Sequence, residues 1–445
     1  MLLRPSKSAL SWAVGLALGV APTALLAAGF YIQEQSVSGL GRAFAGEAAI
    51  ASDASTIYFN PAGMTRLKAP EFQAAVHLLV PKSTVTNQGS TAATPGTLGN
   101  PLPYEGGNGG NPYAPSPVPN LFYARPLNDQ TWLGIGITAP FGLANDYDDD
   151  FFARYDSTET SLKVIDIAPS IAYALNDRVS IGGGLNIQYA DATLKRALPD
   201  PTNPGGPTLA TDGESSLSAD SWDVGFNIGL LADLSETTRL GVHYRSAISH
   251  TLDGTADIDP PVALAGFGVM PESIAGKADL KLPDMVSLGL AHELDDRWTL
   301  LAQYTWFGWS NFNEIRVRFN DGRDDDVTPQ NYRNTWALAL GAQYALDDRW
   351  TLRGGIQYDQ TPTQDGSRAT RTPDGDRTWF SAGASYDRDS RLGFDFAYTY
   401  IHVAQESLDL TRDFYSGTAL ASSVELDGTT EGHVHILAAA LRYRF

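Results

Sequence analysis

The side chains with the plainest binding chemistry are Arg316 and Arg318, in the run EIRVRF that starts at Glu314. A guanidinium grips a carboxylate through two parallel hydrogen bonds. Such a pair is either an ion bridge within the protein or a seat for an anionic head group. A second point of interest lies in the backbone. Pro140, Phe141 and Gly142 interrupt an alternating stretch. Proline donates nothing to a sheet ladder and glycine weakens one, so a kink is expected there, with a strand ending at Pro140 as the competing account. Catalytic chemistry is thin. No Gly-x-Ser-x-Gly elbow occurs. Gly39-Leu40-Gly41 is half of a dinucleotide fingerprint, but the next glycine is Gly46 and no strand precedes it. His433 and His435 share a face, and two ligands without a third make a poor metal site. There are no cysteines, which removes thiol and zinc-finger chemistry. No catalytic residue, metal or cofactor is expected.

The elements that must position these residues announce themselves through one motif that returns six times. It reads LNDQTWLGIGI from Leu127, LNDRVSIGGGL from Leu175, LSETTRLGVHY from Leu234, LDDRWTLLAQY from Leu294, LDDRWTLRGGIQY from Leu346 and YDRDSRLGFDFAY from Tyr386. Each copy joins a polar turn, whose Asn, Asp or Ser bonds its own backbone, to an apolar/polar alternation of strand period. Six short turns, with both termini on the short-turn side, give fourteen strands. Short turns at one end, long loops at the other and an even strand count predict an all-β fold, a 14-stranded antiparallel transmembrane β-barrel.

Strand parity sorts the faces. In the last strand Leu437, Ala439, Leu441, Tyr443 and Phe445 are predicted to face lipid, and Ala438, Ala440, Arg442 and Arg444 the lumen. A terminal aromatic on such a strand also resembles the signal read by the outer-membrane barrel-assembly machinery, so Phe445 marks that partner. In strand 11, Trp350, Leu352, Ile356 and Tyr358 face out, while Arg353, Gln357 and Asp359 face in. In strand 9 the apolar positions switch from Trp298–Trp306 to Ile315, Val317 and Phe319. A bulge near residues 307–309 is expected to flip the parity and turn Glu314, Arg316 and Arg318 inward. The second strand is expected over residues 120–126 and the last two over 391–407 and 431–445.

Residues 1–27 read as a signal peptide: Arg4 and Lys7 precede an apolar run over 9–26, with cleavage after Ala27. No later run approaches ~20 apolar residues, which excludes a membrane helix. Residues 28–70 are rich in Gly, Ala and Ser without sustained alternation, and predict an N-terminal hatch (plug) inside the lumen of a barrel over 71–445. The net charge of −20 opposes nucleic-acid binding. Acidic runs at 148–150 and 324–326 are expected to be solvated outer loops, or to meet the lipopolysaccharide surface through divalent cations.

The segment AGFYIQ…SGLGRAFAGEAAIA…NPAG, the stretch LPDMVSLGLAHELDDRWTLLAQYTWFGWSNF and the turn count together resemble the FadL family of Gram-negative outer-membrane transporters of long-chain fatty acids and other hydrophobic compounds. The resemblance covers the whole mature chain. It implies a monomer that moves a hydrophobic small molecule passively through an internal pocket and out through a gap at a kinked third strand. It places Phe30 in that pocket, sets Asn60-Pro61-Ala62 against the gap, assigns the kink to Pro140, Phe141 and Gly142, and makes Arg316, then Arg318, the partner of a ligand head group. A second basic position is replaced by Asp191, which leaves neutral aromatic hydrocarbons or alkanes open as cargo. The loop at 198–217 lacks the long amphipathic stretches of relatives. From another class, an outer-membrane lipid-modifying enzyme would require a Ser/His pair facing lipid on adjacent strands, and no such pair can be placed.

Overall fold

The computed structural model describes residues 29–445, so the expected signal peptide lies outside the described residues. A closed antiparallel barrel of fourteen staves accounts for most of the chain. In chain order the staves are β1 (Glu71–Asn87), β2 (Ser116–Pro126), β3 (Thr131–Asp146), β4 (Glu159–Ala174), β5 (Val179–Leu198), β6 (Gly213–Asp233), β7 (Thr238–Arg245 and Ile248–Asp259), β8 (Glu272–Leu282 and Met285–Glu293), β9 (Trp298–Phe307 and Glu314–Phe319), β10 (Asp326–Pro329 and Thr335–Ala345), β11 (Trp350–Asp359), β12 (Arg377–Asp387), β13 (Leu392–Phe414) and β14 (Ser422–Arg444). Pairing of β1 with β14, from Glu71 opposite Arg444 to Asn87 opposite Gly428, closes the wall. Closure removes the two free edges that an open sheet would present to lipid.

The repeated turns work as their residue types demand. Asn128 Oδ1 accepts from the N–H groups of Gln130 and Thr131, and Asn176 Oδ1 from those of Arg178 and Val179. Asp295, Asp347 and Asp389 repeat the arrangement two and three residues on. A side-chain oxygen thus satisfies two backbone donors at each of these tight returns.

On β11 and β14 the predicted faces hold. Leu437, Leu441 and Phe445 are exposed on β14 while Ala438, Ala440 and Arg442 are buried; Trp350, Leu352, Ile356 and Tyr358 are exposed on β11 while Gln357 and Asp359 are buried. Three staves run beyond their expected spans. β2 begins at Ser116, although Pro117 and Pro119 argue against a strand; both lie where β2 has β1 as a neighbour and no ladder to β3, so no donor is missed. β13 and β14 run on to Phe414 and Ser422 beyond the register shift between Val403 and Glu406.

Residues 29–66 form three one-turn helices, α1 (Val37–Leu40), α2 (Glu47–Ile50) and α3 (Thr56–Phe59), and a 3-10 helix over Pro61–Arg66. The segment is almost wholly buried against inward-facing groups. Gln73 of β1 accepts from the Ser55 N–H, Gln303 of β9 from the Ala48 N–H, and Gln357 of β11 donates to Gln33. Contact is close enough to require glycine in the wall: a Cβ at Gly241 would fall 1.8 Å from the Ala48 carbonyl oxygen. Inside the segment, Arg42 and Glu47 form a buried ion pair at 2.8 Å.

Candidate functional site

The ladders on both edges of β3 are interrupted. The β2–β3 ladder runs from Pro126 opposite Trp132 to Leu121 opposite Ile137 and stops. On the other edge, β3 and β4 lose register between Thr138 and Phe141, where β3 carries one extra residue. Pro140 has no N–H to offer, which gives the chemical motive for the bulge. The backbone groups freed there are taken up by the N-terminal segment. The Ile32 N–H donates to the Pro140 carbonyl at 2.8 Å, and the Gly142 N–H donates to the Phe30 carbonyl at 2.9 Å. Tyr31 lies opposite Phe141 as an antiparallel bridge. The Gln35 side-chain amide treats Ala139 as a peptide would, donating to its carbonyl at 2.9 Å and accepting from its N–H at 3.4 Å. Residues 30–35 therefore act as a substitute strand for β3 where β2 has withdrawn.

Phe30 joins this seam to a cavity. Its ring lies 4.8 Å from Trp309, 5.2 Å from Phe312 and 6.1 Å from Phe141, centroid to centroid. Beyond it stretches a slot of about 60 Å³ whose walls are apolar, formed by Leu143, Leu162, Leu194, Leu217, Leu280 and Ile315 together with Phe30 and Phe312. Leucines inside a barrel are unusual where the lumen holds water; here they meet one another. The polar part of the lining is Thr160, Asp279, Gln330, Arg371 and Thr372.

The other expected residues fall elsewhere. Asn60 is fully buried: its Nδ2 donates to the carbonyls of Ala48 and Leu230, and its Oδ1 accepts from the Ala62 N–H, capping the 3-10 helix that Pro61 begins. Pro61 and Ala62 rest on Gly182 of β5, and Asn60 on Gly229 of β6. Those contacts are two to three staves away from the kink rather than at it. Arg316 and Arg318 do not face the slot, which corrects the expectation. β9 is interrupted by a turn at 308–313, not by a single-residue bulge, and parity resumes unchanged: Leu301, Gln303 and Phe307 are buried below the turn and Val317 above it. Ile315 and Val317 face inward because the lumen is greasy at this level. Arg316 is left on the outer face, paired with Glu314 at 2.7 Å and Asp325 at 2.8 Å, and Arg318 with Asp279 at 2.5 Å.

A family model for outer membrane protein transport proteins (OMPP1/FadL/TodX) matches residues 18–445. The chain belongs to this FadL family. Outer membrane protein P1 of Haemophilus influenzae is 31% identical over 99% of each chain. A long-chain fatty acid transport protein of Escherichia coli is 31% identical over 89% of this chain and 91% of its own. Among solved structures, a Pseudomonas aeruginosa FadL homologue superposes with a TM-score of 0.84 at 25% identity, over 94% of this chain and 100% of that one. The Ralstonia pickettii toluene transporter TbuX shares the fold, with a TM-score of 0.64 at 20% identity over 92% of this chain and 97% of its own. The FadL family consists of outer-membrane transport channels, not enzymes, and this chain is accordingly a β-barrel of the Gram-negative outer membrane.

In this FadL-family barrel, the residue that sequence reasoning missed is Arg371. It comes from the long connection between β11 and β12, residues 360–376, which folds inward over the slot. The Arg371 guanidinium donates to Thr160 Oγ1 at 3.2 Å and to the Lys195 carbonyl at 3.4 Å. Burial pushes its pKa down to about 10, with the Asp156 carboxylate only partly offsetting that. Asp156 is itself held by Arg412 at 2.7 Å and by the Thr370 N–H at 2.7 Å. Arg371 thus remains charged at neutral pH; the Asp156 and Asp326 carboxylates act on it through space, and among the described residues no carboxylate forms a salt bridge with it. No periodic signal could have singled it out, because the connection reads as polar loop.

Proposed function

We propose that this chain moves fatty-acid-like molecules passively across the outer membrane, binding them in the slot behind Phe30 and releasing them sideways past the kink in β3. One observation carries the reading. Residues 30–32 complete the ladder of the bulged stave, and Phe30 among them also walls the slot. Cargo that displaces the Phe30 ring pulls on the hydrogen bonds at Pro140 and Gly142, so occupancy of the pocket and opening of the wall are one movement. A lipid tail gains about 0.8 kcal/mol per buried CH₂, so a route from greasy slot to bilayer avoids a steep aqueous step. Residues 29–66 serve as the hatch that keeps the lumen shut; their anchor at the outer end is the Gly29 N–H, which donates to Asp374 at 2.9 Å.

Arg371 takes the role first expected of Arg316. A carboxylate head reaching the outer end of the slot finds a buried cation whose charge is under-compensated, and pairing would relieve that burial. A second reading, monoaromatic cargo, is favoured by the slot's small volume and aromatic walls at Phe30 and Phe312. Contacts with lipopolysaccharide, recognition of the strand ending at Phe445 by the assembly machinery, and a monomeric state belong to the same proposal. The test is uptake by a strain lacking its own transporter and carrying this gene. Oleate uptake above the empty strain supports the first reading and toluene uptake alone the second; uptake of neither sinks both.

A further inference from the structure

The outer wall carries a feature that transport does not use. Register places Lys82 of β1 opposite His433 of β14, and His433 opposite His402 of β13. One residue pair nearer the membrane centre, His435 stands opposite Val80 and Tyr400. The rings of His433 and His435 lie 5.4 Å apart, and the Tyr398 hydroxyl meets His435 Nδ1 at 2.9 Å. This cluster shares a face with exposed Leu78, Leu437 and Tyr398, so it points to the membrane, not the lumen. Counting down the staves to Phe445 sets it at the outer edge of the apolar belt, where head groups lie. Glu431 is the next residue of that face toward the outside.

A second observation adjoins the first. Ala342, Gly354 and Ala382 pair in one row across β10, β11 and β12, and their outward faces hold nothing larger than a methyl group. The row above them, Leu340, Ile356 and Phe380, is bulky. The result is an apolar trough of about 720 Å³ on the lipid face, which ends at Tyr398 and Tyr400. Tyr400 in turn lies 5.3 Å from the His435 ring. A trough for a chain thus leads to a cluster for a negative head, on a protein whose net charge of −20 otherwise repels anions. Basic side chains at a membrane surface select anionic head groups, and aromatic rings mark the interface between the two zones.

We propose that this face is a binding site for the phosphorylated glycolipid of the outer leaflet, with a lipid A phosphate on Lys82, His402 and His433 and an acyl chain in the trough at Gly354. Its chemistry demands a phosphate at one end and a saturated chain at the other. The test uses the full chain purified from outer membranes in detergent, with bound lipid counted by native mass spectrometry after exchange into lipid A, dephosphorylated lipid A or phosphatidylglycerol. Wild type is expected to hold lipid A at least fivefold over either alternative. The triple variant K82Q/H402Q/H433Q should lose that preference. Gly354→Leu, whose new Cβ meets nothing nearer than 3.9 Å, should lower retention with the head-group residues intact. Heat-modified mobility on gels checks that each variant is folded. Equal retention of lipid A by wild type and both variants overturns the proposal, and so does equal retention of phosphatidylglycerol by wild type.

Discussion

The inner and outer halves of this barrel are built on opposite rules. In the inner half the wall is oily outside and polar within: Leu441 and Leu352 face lipid, while Gln73, Gln303 and the Asp395–Arg442 pair at 2.7 Å face the N-terminal segment. In the outer half the interior is leucine and phenylalanine, and the exterior carries ion pairs such as Lys277–Asp253 at 3.1 Å and Arg316–Glu314. The polar inner half suits a segment of irregular backbone, whose donors and acceptors all need partners. The apolar outer half suits a ligand with few polar atoms. The seam between them is the bulge in β3, where Phe30 belongs to both.

That contrast can be broken from either side. The largest effect is expected from Gly241→Val. A side chain there collides with the Ala48 carbonyl and displaces the segment from the wall. Planar bilayers should then show large conductance steps where the wild type shows almost none; a silent variant of correct fold would deny that the segment closes the lumen. Next comes Leu217→Asn in the slot. An amide without a partner in that lining costs about 2 kcal/mol, so oleate should bind roughly thirty-fold more weakly, as read by fluorescence competition. Arg371→Gln sharpens the outer end. Loss of a charge-assisted contact worth about 1.5 kcal/mol weakens oleate roughly tenfold and leaves toluene unchanged; equal losses for both would remove the head-group role. The smallest effect belongs to Arg316→Gln, on the outer face, where oleate affinity should move less than twofold.

The same contrast explains what the sequence reveals. The turns at Asn128, Asn176, Asp295 and Asp347 are legible because a short side chain and its own backbone settle them locally. The bulge beside Pro140 has an equally local motive in the sequence: proline carries its constraint with it. The orientation of Ile315 and Arg316 is not, since alternation gives two faces without saying which is wet. Reading apolar as lipid-facing fails wherever the lumen is greasy. Arg371 and the inward fold of residues 360–376 are held by partners far along the chain, including Asp156 with Thr370 and Glu406 with Arg368. Long-range polar contacts leave no period in a sequence.

The central claim is that residues 30–32 must leave β3 for cargo to pass. Cysteines at 31 and 141, in a chain that has none, face each other across the Tyr31–Phe141 bridge at a spacing suited to a disulfide. Labelled oleate uptake should fall at least tenfold when Y31C/F141C is oxidised and recover on reduction; undiminished uptake by the oxidised protein would contradict the account.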